Sequence, residues 1–153
     1  MIADRVLTAS GECLVPPLAE SLEACARRAG LPVKRGALVS ASEVVADPEA
    51  KRKLAAEQGA SAVDMESFAL AQVLAGRGIE FGIARVILDG ASESLPAGGT
   101  VGSALAEIAR SRSLGALAAL ARIGARVRPC ARLGARFLEA WLRESDPVAS
   151  PKR

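Results

Sequence analysis

Residues 62–94 read AVDMESFALAQVLAGRGIEFGIARVILDGASES, and their pattern decides the fold. A short apolar run, Ala60 to Val63, reads as a strand; Asp64-Met65-Glu66-Ser67 then turns the chain into a helix along Phe68 to Ala75, closed by Gly76-Arg77-Gly78. Phe81 to Leu88 follows as a nearly unbroken apolar run with Ile83, Val86 and Ile87, the pattern of a strand buried on both faces of a parallel sheet. Strands alternating with helices at this spacing predict an α/β layer fold. Ligands of such folds gather at the carboxyl ends of strands. Asp89 stands at one such end, and Asp64 and Glu66 follow the other.

Upstream, Ile2 to Leu7 reads as a strand that starts almost at the first residue, which suggests a chain whose preceding part lies elsewhere. Pro16-Pro17 opens an amphipathic helix with Leu18, Leu22, Ala26 and Ala29 on one face, stopped by Gly30. Val33 to Val39 predicts a strand interrupted by Gly36 and leading into Ser40-Ala41-Ser42-Glu43. Asp47 caps a further helix with Pro48 at its first position, and that helix runs to Gln58-Gly59.

The 153 residues, half of them hydrophobic, suffice for the core of one ordinary domain and are short for a two-lobed enzyme. No cationic leader with an apolar core and no bilayer-length apolar run is visible, so a cytoplasmic protein is expected. Cys13, Cys25 and Cys130 are widely spaced and unaccompanied by histidine, which argues against a disulfide framework and a zinc site and for small buried apolar residues. With no histidine in the chain, a Ser-His or Cys-His nucleophile is excluded, and acid–base work falls to carboxylates, lysines or cysteines.

Charge is unevenly placed. Residues 1–100 carry 10 Lys/Arg against 13 Asp/Glu, a net of −3, whereas residues 101–153 carry 10 against 4, a net of +6. From Val101 to Glu144 the chain is rich in Ala, Leu and Arg and reads as two helices with a break near Pro129. The first spans about Leu105 to Ile123; the second, residues 126–145, sets Leu133, Phe137, Trp141 and Leu142 opposite Arg128, Arg132 and Arg136. Such a basic helix suits either an ordinary packed helix with solvated arginines or a peripheral contact with an anionic membrane. Without interleaved aromatics or a reading motif, nucleic-acid binding is not expected. Asp146 to Arg153 reads as a disordered tail.

A carboxyl group at the rim of a buried strand is partly desolvated and can hold a proton near neutrality, as a general acid must. Cleavage of an N-glycosidic bond needs such a donor for the leaving base, a second carboxylate for paired ribose hydroxyls, and an apolar surface for the sugar. Asp89, Glu66 and Met65 fit these roles. Each also has a structural explanation: Asp89 as a turn cap, Glu66 as a first-turn helix charge, Met65 as core packing. Arg85, within the apolar run, calls for a carboxylate partner, Glu66 or Asp64.

Val63-Asp64-Met65-Glu66-Ser67, followed some twenty residues later by Arg85-Val86-Ile87-Leu88-Asp89, is similar to the paired V-[ED]-M-E-x and R-x-[IV]-[ST]-D motifs of the purine nucleoside phosphorylase and nucleosidase family, which includes the methylthioadenosine/adenosylhomocysteine nucleosidases. The resemblance implies a mixed sheet flanked by helices, here with a basic C-terminal helical extension, and covers residues 1–125 as a partial family domain. It implies Asp89 as the acid facing the purine, Met65 and Glu66 at the ribose, Leu38 and Val39 near the base, and Arg85 and Asp64 in support. No cofactor is implied; phosphate is a possible co-substrate beside water. Leu88 replaces the family's Ser or Thr, and Ser92 the second Asp of a D-x-A-D variant.

Family members begin with a lobe that carries a Gly-rich phosphate or water site, and Ile2-Ala3-Asp4 resembles the point just after it. Gly98-Gly99-Thr100 reads as a loop rather than that cradle. The expectation is therefore an enzyme that cleaves a purine (adenine) nucleoside, or a truncated non-catalytic remnant that serves binding or assembly. The Ala/Arg-rich texture resembles the hopanoid-associated phosphorylases, which act on adenosylhopane. A homo-oligomer is expected, with peripheral contact at the inner membrane face through Arg128, Arg132 and Arg136.

Overall fold

The computed structural model describes residues 1–95 and 114–145. A four-stranded mixed sheet forms its centre, with β1 (Ile2–Thr8), β2 (Cys13–Leu14), β3 (Arg35–Ser40) and β4 (Ala60–Asp64) in the order β2-β1-β3-β4. β1 pairs with β2 antiparallel and with β3 parallel, and β3 pairs with β4 parallel. Among the described residues four helices flank it: α1 (Ala19–Arg28), α2 (Pro48–Gln58), α3 (Ser67–Gly76) and α4 (Leu114–Ser145).

The strands alternate between two apolar faces. Ala3, Val6 and Leu38 pack against Phe68 and Ala71 of α3 and against Phe81. Leu7, Ala37 and Val39 face Leu54 of α2, while Ile2 meets Ala19 and Leu22 of α1 together with Phe137 and Trp141 of α4. The result is the expected α/β layering, with α3 on one side and α1, α2 and α4 on the other. An irregularity between Ala3 and Arg5 lets both Ala3 and Val6 reach the α3 face.

Local signals set the elements. The Asp47 carboxylate accepts the Ala50 N–H at 2.9 Å, Pro48 opens α2, and Gly59 ends it in the left-handed region at φ 63°. A second irregularity, between β3 and β4, makes Ser61 an extra residue standing over Gly36. A Cβ on Gly36 would collide with the Ser61 hydroxyl and lie 2.8 Å from the Ser61 Cβ, so the missing side chain of glycine permits this close approach.

Several expectations are corrected. Phe81 to Leu88 is not a strand buried on both faces of a parallel sheet. It is extended and touches the sheet through one antiparallel bridge, Ala84 to Ile2, while Val86 and Ile87 are exposed. Running antiparallel to β1, it exchanges hydrogen bonds with Met1 and Ala3, and beyond Arg85 no backbone among the described residues pairs with residues 86–88. Phe81 and Ile83 still pack into the α3 core.

Pro129 does not break the C-terminal segment, because α4 continues through it for 32 residues. Losing one intrahelical hydrogen bond is offset by packing on both sides of the proline, with Ala119 buried before it and Phe137 and Trp141 docked after it. Of the cysteines only Cys25 is buried; Cys13 is exposed and Cys130 half-buried, and all are free. Residues 105–113 of the first expected C-terminal helix, the Gly98-Gly99-Thr100 loop and the tail from Asp146 lie outside the described residues.

Candidate active site

Four structural elements converge on Asp64, the last residue of β4. Its Oδ1 accepts the Ser40 hydroxyl at 2.8 Å and the Ser67 N–H at 3.2 Å; its Oδ2 accepts the Ser67 hydroxyl at 2.5 Å and pairs with the Arg85 guanidinium. Ser40 in turn accepts the Phe68 N–H at 2.8 Å, so the end of β3, the end of β4 and the first turn of α3 share one network. Burial raises the Asp64 carboxyl, but the hydroxyls of Ser67 and Ser40, the Ser67 amide and Arg85 together outweigh it and hold the group below the usual aspartate range. Arg85 also reaches the Ser67 hydroxyl at 2.9 Å and Glu66 Oε2 at 3.4 Å. The carboxylate partner expected for this guanidinium is thus present twice.

Asp89 sits in the turn that follows the extended segment. Its Oδ2 accepts from the Lys51 ammonium at 2.6 Å. Lys51 projects from α2 with its side chain only 7% exposed, and its remaining contacts go to the carbonyls of Glu93 at 2.7 Å and Gly90 at 3.3 Å. A buried ammonium with three acceptors is a satisfied charge, and here it binds the Asp89 turn to α2.

The turn is clamped from its other side by α4. Arg126 donates to both Glu93 oxygens, at 2.6 and 2.8 Å, and to the Leu88 carbonyl at 3.2 Å. The Arg126 hydrogen bonds, with the Gly90 N–H, lower the Glu93 carboxyl to about 2.

Met65 and Glu66, both exposed at the start of α3, border the same cleft as Asp89, a space of about 240 Å³ that also touches Asp64, Lys51, Val44 and Leu95. The fold therefore brings Met65, Glu66, Asp64 and Asp89 to one opening at the carboxyl end of β4. A second cleft of about 370 Å³ adjoins it between β4, α2 and the 85–91 segment; Leu38, Leu54, Val63, Val86 and Leu88 give it an apolar lining. Leu38 borders this second cleft, whereas Val39 is fully buried between Leu7, Leu54 and Ala60 and borders neither.

The sequence pattern gives no site role to Ser40, Ser67, Glu93 or Arg126, and little to Lys51. Lys51 carries a faint signal, since it shares a helical face with Leu54 and Ala55 in an otherwise polar helix. For Glu93 and Arg126 no local pattern marks the partnership, which spans 33 residues.

With this geometry in hand, a family model describing the phosphorylase superfamily matches residues 9–123, which include β2, β3 and β4, α1 to α3, the Asp64 network and the Asp89 turn. The chain belongs to the phosphorylase superfamily. No curated protein and no solved structure matches it. Superfamily membership gives cleavage of nucleoside glycosidic bonds as the general reaction class. The matched region ends at Ile123, three residues before Arg126, so one of the two clamps on the Asp89 turn comes from beyond it.

Proposed function

We propose that the chain cleaves the N-glycosidic bond of a purine nucleoside, with adenine as the leaving base and phosphate or water as the acceptor at the sugar. The observation that carries this reading is the shared cleft of Met65, Glu66 and Asp89. As the bond breaks, its electron pair goes to the purine, and the acid form of Asp89, with Oδ2 still accepting from Lys51, supplies from Oδ1 the proton that neutralises it. Glu66 accepts hydrogen bonds from the ribose hydroxyls, oriented by Arg85, and Met65 lies along the apolar side of the sugar. The adjoining apolar cleft supports a nucleoside whose ribose carries a bulky apolar substituent, as adenosylhopane does.

The Lys51 contact favours a second reading. Because Asp89 is already engaged by a buried lysine, a module that binds nucleosides without turning them over is also compatible with this geometry. Base release from adenosine and from 5′-alkylated adenosines, followed by chromatography with and without phosphate, separates the two. Release by the wild-type chain, reduced about 100- to 10,000-fold in Asp89→Asn and about 10- to 100-fold in Glu66→Gln, supports the enzyme. Calorimetric binding of adenosine with no base release supports the binding module, and neither binding nor release would remove both.

A further inference from the structure

α4 has one face turned into the protein and one left to solvent. Phe137 and Trp141 pack with Ile2, Ala19 and Leu22, Glu144 accepts from Arg28 at 2.5 Å, and Arg126 reaches Glu93. Both aromatic residues that could have anchored the helix in a membrane are therefore used by the fold. The outer face nonetheless keeps large apolar side chains: Leu117, Val127, Leu138 and Leu142 are each at least half exposed.

At about 100° per residue these four fall within one sector of roughly 80°, and Arg128, Arg132, Arg136 and Arg143 fall within the adjacent sector of similar width. All four arginines are exposed, and among the described residues none is paired with a carboxylate. Glu139 lies within the arginine row and leaves it clearly cationic. From Val127 to Leu142 the double stripe runs for about 22 Å along a straight path.

We propose that this outer face of α4 docks on an anionic lipid surface. The leucines and the valine enter the boundary between headgroups and acyl chains, and the arginines lie at its side with their aliphatic stems on the apolar surface and their guanidinium groups on lipid phosphates. A second copy of the chain fits the face poorly, since two such helices would bring rows of like charge together. A protein partner would find a flat strip without an exposed aromatic anchor. Among the described residues no helix is long and apolar enough to cross a membrane, so contact through α4 is with the surface.

The test is co-sedimentation of the full chain with vesicles of phosphatidylcholine alone and of phosphatidylcholine mixed with phosphatidylglycerol. Binding is expected only to the mixed vesicles and should fall with added salt. Replacing Arg128, Arg132 and Arg136 together by Gln should weaken partitioning by about 100-fold. Leu138→Gln with Leu142→Gln should weaken it by at least about tenfold. Removing three exposed cations elsewhere, through Arg52→Gln, Lys53→Gln and Arg77→Gln, should leave most of the binding intact; circular dichroism confirms that each variant is folded. Equal binding to both vesicle types, no sedimentation with either, equal losses in the two triple variants, or displacement of the protein from vesicles by soluble polyglutamate at matched charge would overturn the proposal.

Discussion

The Lys51 ammonium lies 2.6 Å from Asp89 Oδ2 and is nearly sealed from solvent, although 38 residues separate the two in the chain. This pair joins α2 to the turn that carries the candidate acid. Replacing the lysine by methionine keeps the aliphatic stem but leaves a carboxylate and two carbonyls without their donor. Lys51→Met should therefore lower stability by about 2–3 kcal/mol in urea titrations. Asp89→Asn, which retains an acceptor for Lys51, should cost about 1 kcal/mol or less. Equal losses would mean that the charge on Asp89, rather than the occupancy of the site, holds the turn.

Acid should act through two identifiable carboxylates. Asp64 and Glu93 both have folded-state pKa values below their ordinary ones, so each contributes stability that is fully present above the ordinary value and is lost as pH falls toward the folded one. For Glu93 the window runs from about 4.5 down to about 2. Urea midpoints measured through this range should fall for the wild type and fall less steeply for Glu93→Gln. A pH slope unchanged by that substitution would show that Glu93 is not responsible.

The approach of Ser61 to Gly36 predicts a coupled pair. Gly36→Ala places a methyl group against Ser61 and should cost about 1–3 kcal/mol by forcing β3 and β4 apart. Ser61→Gly in the same chain should recover much of the loss, giving a favourable interaction term in a double-mutant cycle. Purely additive effects would place the strain elsewhere.

Trp141 is the single tryptophan and reports directly on the docking of α4. Phe137→Ala, at a partly buried site beside it, should lower stability by about 2–3 kcal/mol, below the range for a fully buried phenylalanine. Emission from Trp141 should shift to longer wavelength at lower urea than the circular dichroism of the sheet changes. A single coincident transition would make α4 part of one cooperative unit with the body.

What could be read from the sequence follows how local its cause is. The cap at Asp47-Pro48, the stop at Gly59 and the apolar faces of α1 and β1 depend on neighbours within a few residues, and those elements form where the pattern puts them. A guanidinium in an apolar run demands a carboxylate, and the Arg85 pair with Asp64 and Glu66 answers that demand. The Phe81 to Leu88 run shows why apolar periodicity is insufficient, because becoming a strand requires another backbone alongside, and among the described residues none pairs with it past Arg85. Pro129 is a similar case, since the local cost of a proline is offset by packing that only the folded chain supplies. At the site, Met65, Glu66 and Asp64 are contiguous and easily seen, whereas Lys51 and Arg126 become partners of the Asp89 turn only once the chain has folded.

Among the described residues, the ion pairs that fasten α4, Arg28 to Glu144 and Arg126 to Glu93, both lie toward solvent, where screening weakens them. Phe137 and Trp141 seat the helix on Ile2 of β1 and on Ala19 and Leu22 of α1. Without α4 in place, the guanidinium would be gone from Glu93 and the side-chain tie of the Asp89 turn to the body would be the Lys51 contact. The turn that carries the candidate acid is thus braced from two sides only while α4 is seated.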